Sequence, residues 1–303
     1  MKTVLAIDAG QTGIKVRVRG HDLVFPGIRT GEPLLPQLAE VTHAAIERTG
    51  ADVSVVSAGV SGLTDREADA AGLLSRIEDA AVREVILAHD STTSFLGALG
   101  DTRGAVVAAG TGVVTLAVGA ERVARVDGWG HLIGDAGSGY WIGREALDAV
   151  MRDFDGRGPA TGLRAVAEER WPDLAQAYID LQSDPERVSV VASFAEQVAR
   201  LASSGDAVSQ RITVRAGGEL AHSVETALRR VRSDEPGERF EACAIGGVFR
   251  SSHLREAFAS HIGASELAVT LVEPHGEGID GAVALAGLAA QHPLAHAVST
   301  ARA

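Results

Sequence analysis

The chain is poor in several things, and each shortage removes a class of protein. It contains one cysteine, Cys243, in 303 residues. That excludes a disulfide framework, a cysteine-rich zinc site and an iron–sulfur cluster held within one chain. Such usage fits a reducing compartment, so a cytoplasmic location is expected. Aromatic residues are only 4% of the chain against 46% hydrophobic residues, so the core must be built mostly from Ala, Val, Leu and Ile. Positive charge is also short: the formal net charge is -12, and nucleic acid, whose backbone calls for clustered Lys and Arg, is not an expected partner. No apolar run is long enough to span a bilayer. The opening Met1-Lys2 leads straight into TVLAID, which is too short for a signal peptide, so no membrane contact is expected. What remains is an acidic chain with enough hydrophobic content for one large domain or two medium ones.

Strands and helices alternate along it. TVLAID (Thr3 to Asp8) and GIKVRVRG (Gly13 to Gly20) read as two strands joined by the turn AGQTG. Helical periodicity runs from Pro36 to Arg48, where Leu38, Val41, Ala45 and Ile46 share a face. A strand VSVVSAG follows, then a helix over READAAGLLSRI and the strand EVILAHD, which ends on Asp90 and opens into the helical STTSFLGAL. After a composition break at Gly100 to Gly104 the opening theme returns: strand GAVVAAG, turn GTG, strand VVTLAVG. The second half is helix-rich from Tyr140 to about Arg232 and closes with strand ACAIG, helix HLREAFASHI, strand LAVTLV and a helix from Ile279 to Ala290. This order predicts an α/β protein whose two halves begin alike.

The two Gly-rich turns are the first candidates for chemistry. Asp8-Ala9-Gly10-Gln11-Thr12-Gly13 is either an ordinary hairpin turn or a phosphate-binding one. In the second case backbone N–H groups beside Gly10 and Gly13 face the anion, with the Thr12 hydroxyl and the Lys15 charge adding to it. Gly110-Thr111-Gly112 repeats the arrangement in the second half, and the pair is a better signal than either alone. Asp90 stands at a strand end, where ligands collect in α/β proteins. Its carboxylate is either a helix N-cap or a general base for phosphoryl transfer. The densest stretch is DGWGHLIGDAGSGYWIG, Asp127 to Gly143. Its six glycines and two tryptophans surround Asp135, and it reads either as a ligand loop or as an interdomain hinge anchored by Trp129 and Trp141.

Together these segments resemble the actin-like ATPase and sugar-kinase superfamily, with IDAGQTGIK and VVAAGTGVV as its phosphate motifs and CAIGGVFRSS as its adenosine motif. GWGHLIGDAGSGYWIGREAL and the closing GEGIDGAVALAGL are similar to the N-acetylglucosamine kinases and the wider BadF/BadG/BcrA/BcrD ATPase family. The likeness covers nearly the whole chain in order. It implies two ribonuclease H-like domains with a cleft between them, residues 1–102 and 103–303. The second would be larger and carry a helical insert, and the last helix could return to the first. It implies ATP and Mg²⁺ as cofactors, an amino sugar as substrate and a homodimer. By the same likeness, Asp90 is the catalytic base. Asp90, Gly128, Trp129, Gly130 and Asp135 bind the sugar, and Asp8, Gly10, Thr12, Lys15, Gly110, Thr111, Gly112, Gly246, Gly247 and Arg250 serve the nucleotide. Asp8 would place the metal through water.

The implied reaction is transfer of the γ-phosphoryl group to a sugar hydroxyl, N-acetylglucosamine to its 6-phosphate. Glucosamine, N-acetylmuramic acid, or ATP hydrolysis without a sugar are the alternatives. The sugar is left open by one departure. Related kinases carry an asparagine in the loop after the first hairpin, and this chain, in which the segment is FPGIRTGEPLLPQL, has no asparagine at all. Thr30 or main-chain groups would have to replace it. An iron–sulfur activator, a known role in the same broad family, is poorly served by a lone Cys243.

Overall fold

In a computed structural model, residues 2–29, 31–233 and 237–303 are described; Thr30 therefore lies outside the described residues. The chain forms two compact units. One comprises residues 1–106, 118–123 and 273–303, and the other residues 107–117 and 124–272. The expected α/β architecture is present, with one sheet of six strands and one of five.

The first unit contains β1 (Val4–Ala9), β2 (Ile14–Val18), β3 (His21–Phe25), α1 (Leu34–Thr49), β4 (Val55–Val60), α2 (Ala70–Leu74), β5 (Glu84–His89) and α3 (Asp90–Leu99). The five-stranded sheet, most of whose residues belong to the second unit, is made by β6 (Gly104–Ala109), β7 (Val113–Val118), β8 (Val123–Val126), and later β9 (Arg239–Ile245) and β10 (Ala268–Val272). Its helices are α4 (Gly139–Phe154), α5 (Leu163–Arg170), α6 (Ala177–Ser183), α7 (Arg187–Ser203), α8 (Ala207–Val231) and α9 (Ser252–Gly263). The chain then returns to the first unit as α10 (Gly278–Leu285) and β11 (Val298–Arg302).

The six-stranded sheet runs β11-β5-β4-β1-β2-β3. Its centre is parallel, β1 to β4 and β4 to β5, and its flanks β2, β3 and β11 are antiparallel. Both faces of the centre are covered, and β1 shows how. Leu5, Ile7 and Ala9 enter one cluster with Leu38, Val41 and Ala45 of α1, while Ala6 packs on the other face with Ile279 and Ala282 of α10. Successive side chains in a strand point to opposite faces, so Asp8 follows Ala6 to the α10 face. That face is lined with small residues: Ser57, opposite Ala6, donates its hydroxyl to the Ala282 carbonyl at 2.6 Å, and Gly59, opposite Asp8, lies against Thr93 of α3. Small side chains there let α3 and α10 sit close to the strands.

Several sequence expectations are corrected. β3 and β11 are strands that alternation alone did not reveal; β11 is five residues long and exists as a strand only because β5 offers it a partner. The helix expected over READAAGLLSRI shrinks to Ala70–Leu74, and the closing helix ends at Leu285 rather than near Ala290. The segment expected as a loop from Phe25 to Leu38 includes the end of β3 and the start of α1. Among the described residues no helix is long and apolar enough to cross a membrane.

Candidate active site

The candidate residues fall into two groups, one in each unit. In the first unit, the β1–β2 turn is closed by the Gly10 N–H donating to the Gly13 carbonyl at 3.0 Å, which leaves Thr12 exposed at the tip. Register places Asp8 opposite Lys15. The Asp8 carboxylate lies against the first residue of α10: a Cβ on Gly278 would come within 2.8 Å of its Oδ2. Burial raises the Asp8 pKa, the Asp90 carboxylate raises it further, Lys15 opposes this, and Glu277 adds to the rise. Three carboxylates therefore share one neighbourhood around Asp8. Lys15 is already engaged, since its Nζ donates to Glu277 Oε2 at 2.6 Å. Glu277 in turn is the N-cap of α10 and forms a reciprocal capping box with Asp280, which also receives Arg17 of β2 at 2.5 Å.

Asp90 emerges where β5 passes directly into α3. It is the first residue of the helix and does not cap it; the cap is His89, whose Nδ1 accepts the Ser91 N–H at 3.1 Å. The carboxylate Oδ1 of Asp90 is buried without a hydrogen-bond donor. His89 Nδ1 is only 2.8 Å away and also lies 2.9 Å from the Ser91 hydroxyl; in the tautomer in which that nitrogen accepts the Ser91 N–H, it has no proton to offer the carboxylate. A buried acceptor left unpaired is costly, and a hydroxyl-bearing ligand would relieve it.

In the second unit, the β6–β7 turn is closed by the Gly110 N–H donating to the Gly112 carbonyl at 2.9 Å, again with an exposed threonine, Thr111. The start of α4 braces this turn: the Gly139 N–H donates to the Gly110 carbonyl at 2.7 Å and the Tyr140 N–H to the Thr111 carbonyl at 3.0 Å. Gly246, at the end of β9, packs directly on the Ala109 backbone beside the same turn. The structure thus gathers Gly110, Thr111, Gly112 and Gly246 into one neighbourhood, with Gly247 next along an exposed turn. Arg250 is exposed at the end of the short 3-10 helix that follows.

Asp135 is 7% exposed and has a left-handed backbone, φ 59°. Its Oδ1 accepts the Gly130 N–H at 3.2 Å, the Val113 N–H also reaches the carboxylate, and Oδ2 lies beside Gly112. Burial raises its pKa, and the neighbouring Asp127 carboxylate adds to this, against the pull of the Gly130 and Val113 amides. Gly128 and Gly130 have φ of 78° and 82°, a region open to glycine at little cost. Trp129 is not folded in: 63% of its surface is exposed, with the Arg125 guanidinium 5.7 Å from its ring centre. Trp141 sits on α4 beneath Arg215.

Four participants escaped the sequence reading. Glu277 and Gly278 stand inside the segment GEGIDGAVALAGL, but only the return of α10 to β1 puts them beside Asp8 and Lys15. Asp127 opens the glycine-rich stretch, and nothing in its spacing marks what its side chain does. His89, which no spacing marks out, is the cap that sets the backbone at Asp90.

A two-sheet α/β fold with paired Gly-rich hairpins and an aspartate at a strand end is the fold of sugar kinases and actin-like ATPases. A Chromobacterium violaceum crystal structure provisionally assigned as an N-acetylglucosamine kinase superposes with a TM-score of 0.69 at 24% identity, covering 94% of this chain and 99% of that one. The chain belongs to the BadF/BadG/BcrA/BcrD ATPase family, whose model matches residues 2–286. It is 27% identical over 312 residues to the N-acetylmuramic acid/N-acetylglucosamine kinase of Clostridium acetobutylicum, covering 94% of this chain and 98% of that protein. It is also 29% identical over 238 residues to the N-acetyl-D-glucosamine kinase of Dictyostelium discoideum, covering 75% and 73%.

Proposed function

We propose that this protein is an ATP-dependent kinase that phosphorylates an amino sugar, with N-acetylglucosamine converted to its 6-phosphate as the first candidate reaction. The observation that carries the reading is Asp90: a carboxylate at a strand end, one oxygen buried and without a donor. In the proposed reaction that carboxylate oxygen receives the sugar hydroxyl and takes its proton as the hydroxyl oxygen attacks the γ-phosphorus in line, breaking the bond from phosphorus to the bridging β,γ-oxygen so that ADP leaves. Asp135, with Gly128, Trp129 and Gly130, accepts and positions other sugar hydroxyls. The main-chain N–H groups of the two hairpins, with Thr12 and Thr111, hold the phosphates, and Gly246, Gly247 and Arg250 border the nucleoside. Lys15 would exchange Glu277 for a phosphate oxygen.

Mg²⁺ fits the surroundings of Asp8, where burial and then the nearby Asp90 and Glu277 carboxylates disfavour an uncompensated negative charge. Among the described residues no group of three or more His, Cys, Asp and Glu side chains is arranged to hold a metal. The ion would therefore come with nucleotide phosphates and water, with Asp8 placing it through a bound water, in keeping with the habit of Mg²⁺ of retaining several waters. When bound, it neutralises charge on the transferring phosphate.

The test is ADP release from Mg²⁺-ATP by the purified protein against N-acetylglucosamine, glucosamine, N-acetylmuramic acid, N-acetylmannosamine and glucose. Strong stimulation by an amino sugar is expected. If no sugar raises ADP release above background, the kinase reading fails and an ATPase without a sugar acceptor takes its place.

A further inference from the structure

The loop that carries Asp135 is tied by a second carboxylate that the proposed reaction does not use. Asp127 directly follows β8, and its side chain accepts three main-chain N–H groups. Its Oδ1 takes those of Gly128 at 2.9 Å and Asp135 at 2.7 Å, and its Oδ2 takes that of Ala136 at 3.0 Å. The bonds join the first residues of the loop to its last, so one side chain closes the loop on itself. Asp127 and Asp135 both have left-handed backbones, φ 60° and 59°. That conformation is uncommon for residues other than glycine and persists where surrounding bonds over-determine it. Within the closed loop the Gly130 N–H donates to Asp135 Oδ1 at 3.2 Å. The tie therefore sets both the backbone of Asp135 and the donor that turns its carboxylate.

We infer that Asp127 is a positioning residue for sugar binding: through three main-chain hydrogen bonds it fixes the loop that aims the Asp135 carboxylate and the Gly128–Gly130 backbone. The inference rests on the reading of Asp135 as a sugar contact. A loop tie with only a structural role would lower thermal stability and leave the sugar KM alone. A positioning residue moves the sugar KM selectively and acts through Asp135.

Two substitutions separate these. Asp127→Gly accepts the left-handed backbone but removes all three acceptor bonds; Asp127→Asn tolerates the backbone and keeps one carbonyl oxygen. Asp127→Gly is expected to raise the amino-sugar KM by about ten- to a hundredfold, the scale on which misplacing a substrate by an ångström is felt. The KM for ATP should move less than about twofold, and Asp127→Asn should fall between wild type and Asp127→Gly. Because Asp127 acts through Asp135, adding Asp127→Gly to an Asp135→Asn background should cost less than about a further twofold. Hydrogen exchange of the Gly128, Asp135 and Ala136 amides should accelerate in Asp127→Gly, and this is read without any sugar.

An unchanged sugar KM in a folded Asp127→Gly protein would overturn the inference, as would effects that simply add to those of Asp135→Asn. If Asp127→Gly fails to fold, Asp127→Asn decides by the same KM comparison. Absence of sugar-dependent turnover in the unmutated chain would overturn the kinase reading and this role with it. An unshifted KM against a working wild type overturns this inference alone.

Discussion

Gly281→Ala tests how closely α10 is held to the strand that carries Asp8. Helices α3 and α10 meet backbone to backbone at this glycine: a Cβ built on it would stand 1.7 Å from the Thr93 carbonyl oxygen and 2.7 Å from the Gly97 nitrogen. Both obstacles are main chain, so no rotamer change can relieve them. To restore ordinary non-bonded contact the two helices must part by about 2 Å. Overpacking costs about 1–3 kcal/mol when side chains can shift; with a helix pair displaced, the upper end, about 3 kcal/mol, is expected. At about 2–4 °C per kcal/mol for a chain of a few hundred residues, the midpoint of thermal unfolding should fall by roughly 6–12 °C. Gly287→Ala is the control. Its nearest obstacle is the Ala284 carbonyl at 3.6 Å, and alanine there should leave the midpoint unchanged or raise it slightly, through about 0.4–1 kcal/mol of lost unfolded-state freedom. Calorimetry of the three proteins, with circular dichroism to confirm a native fold, reads the result. Because α10 also lays Gly278 on Asp8, sugar-dependent ADP release should fall in the folded fraction of Gly281→Ala. A midpoint within about 2 °C of wild type, under 1 kcal/mol on this scale, would refute the close approach of α3 and α10.

Asp90→Asn keeps the size of the side chain but removes the base, so kcat for the sugar reaction should drop by about 10²–10⁴-fold while ATP affinity is nearly unchanged; steady-state kinetics with nucleotide titration check this, and a variant with most of its turnover removes Asp90 from the chemistry. Glu84, buried at the start of β5, receives Lys2 at 2.6 Å and Arg302 of β11 at 2.8 Å. The Lys2 hydrogen bond, followed by that of Arg302, holds its pKa below the usual value. Since the folded-state pKa is the lower one, this contribution to stability is present above the unfolded-state value and is lost as pH falls through the folded-state value. Glu84→Gln should therefore cost about 1 kcal/mol at pH 7, and its unfolding midpoint should converge on that of wild type in acid; a gap that persists below about pH 3 would show that the charge is not the cause.

Composition and order along the chain were enough to establish an α/β protein, two Gly-rich hairpins and the strand-end position of Asp90, because all of these are local. A turn between two strands is written in its glycines, and a strand that ends on a carboxylate carries that carboxylate to the sheet edge whatever packs around it. The tertiary structure decided the rest. β11 pairs with β5 from more than two hundred residues away in sequence, and no period in VSTAR announces that pairing. Glu277 and Gly278 reach Asp8 only because α10 returns to the face of β1 that Ala6 leaves shallow. Asp127 looks like one more acidic residue ahead of a glycine run. Its three main-chain bonds arise because two left-handed aspartates fold the loop back on itself. Local sequence sets backbone preferences within a few residues, whereas burial, the pairing of charges and the reach of a carboxylate to distant amides depend on which segments the fold brings together.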